Sequence, residues 1–132
     1  MKTVLIPLLI ALSLTAACRK DETVSAYGGA DHVWTLKTLN GNIFPAPATL
    51  TFPEVGQIAG NGPCNSYFGA MDAPYPWFQA GPIGSTRRAC PDMRAETVFL
   101  DSLKAATLIE VVDDTLILSN PEGLEMIFKA TE

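Results

Sequence analysis

The chain has 132 residues, 48% hydrophobic and 17% charged, with nine Lys or Arg against fourteen Asp or Glu and a net charge of −5. That length suits one domain able to bury a real core. The acidic balance excludes the basic face that nucleic-acid binding requires, and it excludes electrostatic attachment to anionic lipid.

Residues 1–17 read as a secretory signal. Lys2 gives a positive start, residues 4–14 form an almost unbroken apolar run, and Thr15-Ala16-Ala17 supplies small residues before Cys18. The run falls well short of the ~20 residues that cross a bilayer. Small residues followed by cysteine resemble a bacterial lipobox, in which the signal is cut before the cysteine and acyl chains are attached to it. Leu14 stands one place earlier than the usual leucine of that pattern. Cys18 is therefore the expected lipidation site, with a cleaved signal and no lipid as the alternative; both export the chain. Two or more acyl chains anchor lastingly, since each buried CH₂ contributes roughly 0.8 kcal/mol. Residues 18–31 are polar, contain Gly28-Gly29 and lack periodicity, so they are expected to form a tether.

From His32 the texture changes to strand. Residues 33–39 are β-rich and run into Asn40-Gly41, a strong turn signal. Residues 48–52 alternate, with Leu50 and Phe52 on one face; 53–56 turn the chain and 57–60 return it. Gly and Pro in 61–63 interrupt the ladder. Residues 66–71 form the next expected strand, 73–77 an irregular connection with two prolines and two aromatics, and 82–88 a further strand. One helix opens near Pro91, with Asp92 and Glu96 suited to its positive end and Ala95, Phe99, Leu103 and Ala106 at helical spacing. Strands at 107–112, 115–118 and 124–129 follow, joined by turns at Asp113-Asp114 and 120–123. The expected fold is a small α+β domain: a strongly curved antiparallel sheet, a partial barrel, with one α-helix packed on it.

With Cys18 assigned to lipid, Cys64 and Cys90 remain as a pair in an oxidising compartment, where a disulfide is the default. A metal site would need reduced thiols, His32 and a fourth ligand, and C-x-x-C redox spacing is absent. No metal or cofactor is expected. His32 is the single histidine and borders the tether, so it reads as a solvated strand-entry residue rather than a general base. Asp113-Asp114 suits a turn better than paired acid–base work. No Gly-rich phosphate loop follows a strand and opens a helix.

Several blocks in order resemble the META (HslJ-like) domain family. Trp34-Thr35-Leu36 with Leu39-Asn40-Gly41 resembles its opening strand and turn, and Leu50-Thr51-Phe52 its second strand. Residues 60–69, Gly-Asn-Gly-Pro-Cys-Asn-Ser-Tyr-Phe-Gly, resemble the G-x-x-G-C-N-x-Y/F-x-G signature. Residues 86–91 resemble the T-x-x-A-C block, and Glu96, Phe99 and Leu100 sit where the family's helix begins. Pro63 replaces the usual Gly before Cys64, fixing φ and removing a backbone donor. The resemblance covers most of residues 33–129, and 32–132 is the expected META domain. It implies an envelope lipoprotein with a small β-rich domain and no enzyme reaction.

The leading expectation is a non-enzymatic, lipid-anchored envelope protein, serving stress tolerance or envelope maintenance through contacts. It would face the periplasm; Arg19 after the cysteine resembles an outer-membrane sorting signal. A soluble periplasmic or secreted protein is the alternative location. Its expected partners are the membrane, through lipid on Cys18, and an envelope protein. The expected contact surface comprises Asn65, Tyr67, Trp77 and Arg87. Asn65 can equally tie its bend together by hydrogen bonds to backbone, and Arg87-Arg88 can be a solvated strand face. Since Trp77 and Phe78 are adjacent, one must point outward. The alternative function is a small-molecule carrier with an apolar pocket inside the curved sheet.

Overall fold

The computed structural model describes residues 23–131. The expected signal, Cys18 and residues 19–22 of the expected tether lie outside the described residues.

β1 (Val33–Leu39) buries Trp34 and Leu36 and exposes Val33 and Lys37, as alternation on a half-buried strand requires. It turns through Asn40 and Gly41, both at positive φ, into β2 (Asn42–Ile43). β3 (Thr49–Leu50) is shorter than the expected 48–52, because Thr51 leaves β1 and bridges Ala59 instead. Leu50 and Phe52 still share the buried face. β4 (Gln57–Asn61), β5 (Ser66–Met71) and β6 (Ala80–Ser85) form an antiparallel three-stranded sheet in chain order. β6 stops before the expected end at 88, since the backbone of Arg88 pairs with a side chain, described below, rather than with a strand.

α1 (Met93–Ala105) follows a turn at Pro91-Asp92 and turns Glu96, Phe99 and Leu103 inward. β7 (Leu108–Val112), β8 (Thr115–Ser119) and β9 (Glu125–Thr131) complete the second sheet. Its order is β2-β1-β9-β8-β7, with β3 also paired to β1. The Thr51–Ala59 bridge carries the curve from β3 into β4, and a Trp77–Leu108 bridge places the β5–β6 connection along β7. The sheet remains open, with α1 lying against β6. This is the expected α+β partial barrel with one helix.

Trp34, Leu50, Phe78, Phe99, Leu103, Leu116, Leu118 and Phe128 fill the interior. Each such side chain contributes about 1.5–3 kcal/mol on burial.

The tether expectation is corrected for its second half. Val24–Tyr27 and Gly29–Asp31 are short 3₁₀ turns folded onto the domain. Val24 is buried, and Tyr27 stacks on Tyr75 with ring centroids 3.8 Å apart. The physical reason is the buried indole of Trp34, whose Nε1–H needs an acceptor and donates to the Gly29 carbonyl at 2.8 Å. Among the described residues no helix is long and apolar enough to cross a membrane.

Candidate functional site

The densest polar chemistry lies where the β4–β5 bend, the segment after β6 and the start of α1 meet. Cys64 and Cys90 form a disulfide there, their Cα atoms 6.0 Å apart across a sequence separation of 26. On the chain-entropy relation a loop of that length stabilises the fold by roughly 3.5 kcal/mol.

Beside the disulfide, Asn65 and Glu96 are each only 4% exposed. Glu96 Oε1 accepts from the backbone N–H groups of Cys64 at 3.1 Å and Asn65 at 2.6 Å. Glu96 Oε2 accepts from Asn65 Nδ2 at 2.6 Å. Three donors, two of them close, replace water around a buried carboxylate, and hydrogen bonds to a charged acceptor are the strong ones. The location of Glu96 in the first turn of α1 adds the favourable end of the helix dipole.

Asn65 is used to capacity. Its Oδ1 accepts from Thr86 Oγ1 at 2.9 Å and from Arg88 N at 2.6 Å, while Nδ2 also donates to the Arg88 carbonyl at 3.1 Å. An amide side chain offers two donors and two acceptor sites, and here all are engaged. Facing Arg88, it pairs with main chain as a neighbouring strand would. Its backbone carbonyl accepts from Gly62 N at 2.8 Å. A Cβ on Gly62 would sit 2.7 Å from Glu96 Oε1, so the close approach of bend to carboxylate needs glycine.

Of the expected contact residues, Asn65 and Tyr67 are therefore interior. Tyr67 points into the core of the sheet, its hydroxyl donating to the Thr49 carbonyl at 2.5 Å, and burial pushes that phenol well above its usual range. Trp77 and Arg87 are exposed. Trp77, 56% exposed, lies beside β7 while its neighbour Phe78 is the inward member of the pair. Arg87 lines a shallow depression with Arg88, Met93 and Thr97 near the start of α1. The four residues thus do not share one face: the bend organises structure, and the two exposed side chains lie towards opposite ends of α1.

Glu96 is the residue that sequence reasoning placed only at the helix start. Its signal was phase, since it precedes Phe99 by three positions and so falls on the buried stripe. His32 is exposed and edge-on to Trp34, and Asp113 and Asp114 occupy an exposed turn, with Asp114 3.5 Å from Lys129. Among the described residues, no group of three or more His, Cys, Asp or Glu side chains could hold a metal ion.

Two solved structures share this architecture. One, an NMR structure of a protein from Burkholderia xenovorans, superposes with a TM-score of 0.63 at 22% identity, covering 88% of this chain and 93% of that one. A second NMR structure gives a TM-score of 0.60 at 20% identity over 76% and 90% of the two chains. At these identities the likeness is one of fold. No curated protein matches the chain. The META domain model matches residues 29–132, which begins within the docked 3₁₀ turns and runs through β9. The chain belongs to the META domain family.

Proposed function

We propose that this protein is a non-enzymatic, lipid-anchored component of the bacterial cell envelope, held by acyl chains on Cys18 and facing the periplasm. Its META domain works there by contact, in stress tolerance or envelope maintenance. The observation that carries the reading is the Cys64–Cys90 disulfide, a bond that persists in oxidising compartments and agrees with the export signal in residues 1–17. The buried polar groups beside it are spent on holding the bend, which supports a rigid scaffold whose outer surface does the work. Trp77 is the outward aromatic on that surface, fixed by its place between Pro76 and the buried Phe78. Arg19 supports the outer membrane over the inner.

The carrier reading requires an enclosed apolar cavity. The interior is instead packed with Trp34, Leu50, Phe99 and Phe128, and a groove of about 530 Å³ between β2 and α1 is an open surface depression. Contact is the better supported function.

Replacing Cys18 by Ser tests the anchor: the protein should move to the soluble fraction, and the wild-type N-terminal peptide should begin at Cys18 with acyl mass. Membrane retention of the variant, or an intact leader on the wild type, would overturn it. Trp77→Ala should keep the Tm and lose crosslinks to its envelope partner in intact cells.

A further inference from the structure

The outer face of the β4–β5–β6 sheet carries no charged side chain across its central rows. Ala59, Phe68 and Gly84 are register partners across its middle. Gln57 pairs with Ala70 on one side of that row, and Asn61 with Ser66 on the other. Phe68 stands out because it is 67% exposed on the central strand.

The geometry of that ring is informative. A Cβ built on Gly84 lies 2.7 Å from Phe68 Cζ and 3.1 Å from each Cε. A point beyond the ring edge would be distinctly farther from the Cε atoms, so the ring tip covers Gly84 face-on. Phe68 therefore lies along the sheet, one face on bare glycine backbone and the other open to solvent. Covering a cross-strand glycine accounts for the first face. It leaves the second unexplained. Next to the ring is a shallow depression of about 370 Å³ floored by Ala59, Gly69 and Ala70 and edged by Gln57 and Pro82. The Gln57 side-chain amide makes no hydrogen bond to a described residue.

We propose that this face binds a neutral glycan, with one pyranose ring stacked on Phe68 and its hydroxyls directed to the amide of Gln57. A pyranose chair presents polarised C–H groups on its flat side, which complement the negative face of an aromatic ring. Its equatorial hydroxyls are donors and acceptors at once, as an amide is. Small residues around the ring leave room for a flat ligand to lie down. Other occupants fit worse. An anionic membrane would need cations, which these rows lack. A stable protein interface buries about 1,000 Å² or more in total around an apolar centre, whereas the residues around Phe68 are Ala, Gly, Pro and polar side chains. The inference does not depend on lipid at Cys18 or on the role of Trp77.

The test uses the purified full chain, titrated separately with cellohexaose and chitohexaose by calorimetry and by amide NMR. Saturable binding of at least one, with shifts centred on Ala59, Ala70 and Gly84, is expected. Phe68→Ala should weaken it by roughly tenfold or more, and Phe68→Trp should retain it. Gly84→Ala keeps the aromatic but places a methyl beneath it, lifting the platform, and should also weaken binding. Failure of the wild type to bind either oligosaccharide, or equal binding by Phe68→Ala, would overturn the proposal. So would a response at this face only to anionic vesicles or to a protein.

Discussion

The carboxylate of Glu96 invites a direct test, because its two oxygens face only donors. Replacing Glu96 by Gln keeps the shape but turns one acceptor into an NH₂ group. If that group faces Asn65, donor meets donor at a position where the native heavy atoms are 2.6 Å apart. If it turns the other way, it confronts the backbone N–H groups of Cys64 and Asn65, at 3.1 and 2.6 Å. Rotating the Asn65 amide does not relieve the conflict, since Thr86 and both main-chain groups of Arg88 fix its orientation. The loss is one charge-assisted hydrogen bond, about 1.5–3 kcal/mol, plus the cost of leaving a buried donor unpaired, about 1–3 kcal/mol. A destabilisation of about 3–4 kcal/mol is expected, which for a domain of this size lowers Tm by roughly 10–15 °C.

The companion change Asn65→Asp sets two carboxylates against each other and should cost at least as much. Combining the two restores one complementary pair, because the new amide at position 96 can donate to the new carboxylate at position 65. The carboxylate still faces the Arg88 carbonyl, so rescue is partial. The double variant should be more stable than the sum of the singles by about 0.5–3 kcal/mol, the range for residues sharing a network. Urea unfolding of all four proteins under oxidising conditions measures this, with m unchanged if the native and denatured states keep their compactness. Single variants within 0.5 kcal/mol of wild type, or strictly additive effects, would refute the assignment of Glu96 as the organiser of the bend (a threshold at the noise of such cycles).

Three further outcomes follow from the same region. Replacing both Cys64 and Cys90 by Ser should lower stability by roughly 3.5 kcal/mol, seen as a lower denaturant midpoint that reducing agent no longer shifts. Gly62→Ala should cost about 1–3 kcal/mol, because the added methyl meets Glu96 Oε1 at 2.7 Å; a neutral result in thermal unfolding would mean that the bend yields freely. Tyr67 gives a pH signature. Its pKa is raised in the fold, from a usual value of 10.0, by burial. The unfolded chain thus loses this proton first, and stability falls as pH rises past about 10, by about 1.4 kcal/mol per pH unit. Below that window the protonated phenol contributes fully. Tyr67→Phe should lose the bond to Thr49, about 0.5–1.5 kcal/mol at neutral pH, and show a shallower alkaline decline than wild type; parallel alkaline profiles would count against a buried, protonated Tyr67.

Much of the fold was legible because it rests on short-range physics. Alternation gave β1 and the β7–β8–β9 meander, Asn40-Gly41 gave the first hairpin, and the spacing of Phe99, Leu103 and Ala106 gave α1. What was not legible depended on partners distant in sequence. The docking of Val24–Tyr27 depends on Tyr75, and the placement of Gly29–Asp31 on Trp34, with no periodic pattern in either turn. β6 ends early because Asn65, more than twenty residues before Arg88 in the chain, takes over its backbone bonds. Glu96 looked like a dipole residue because charge is normally solvated. Only three donors gathered from the bend make its burial tolerable. The same gathering turned Asn65 inward, and core burial with a bond to Thr49 did the same for Tyr67.

These constraints converge on β5. Its entry is fixed by the disulfide at Cys64 and by Asn65, whose backbone and side chain are both tied to α1. One residue into the strand, Tyr67 is buried and bonded to β3, and four residues later Met71 is buried again. A strand held at its entry and on its inner face has little freedom to shift register or twist. Its outward side chains are consequently displayed at set positions, and Phe68 follows directly on Tyr67. The one exposed large hydrophobic side chain on this strand is thus attached to a backbone restrained at its entry and on its inner face. That combination suits recognition: little ordering entropy is lost when a partner settles on a surface that is already fixed.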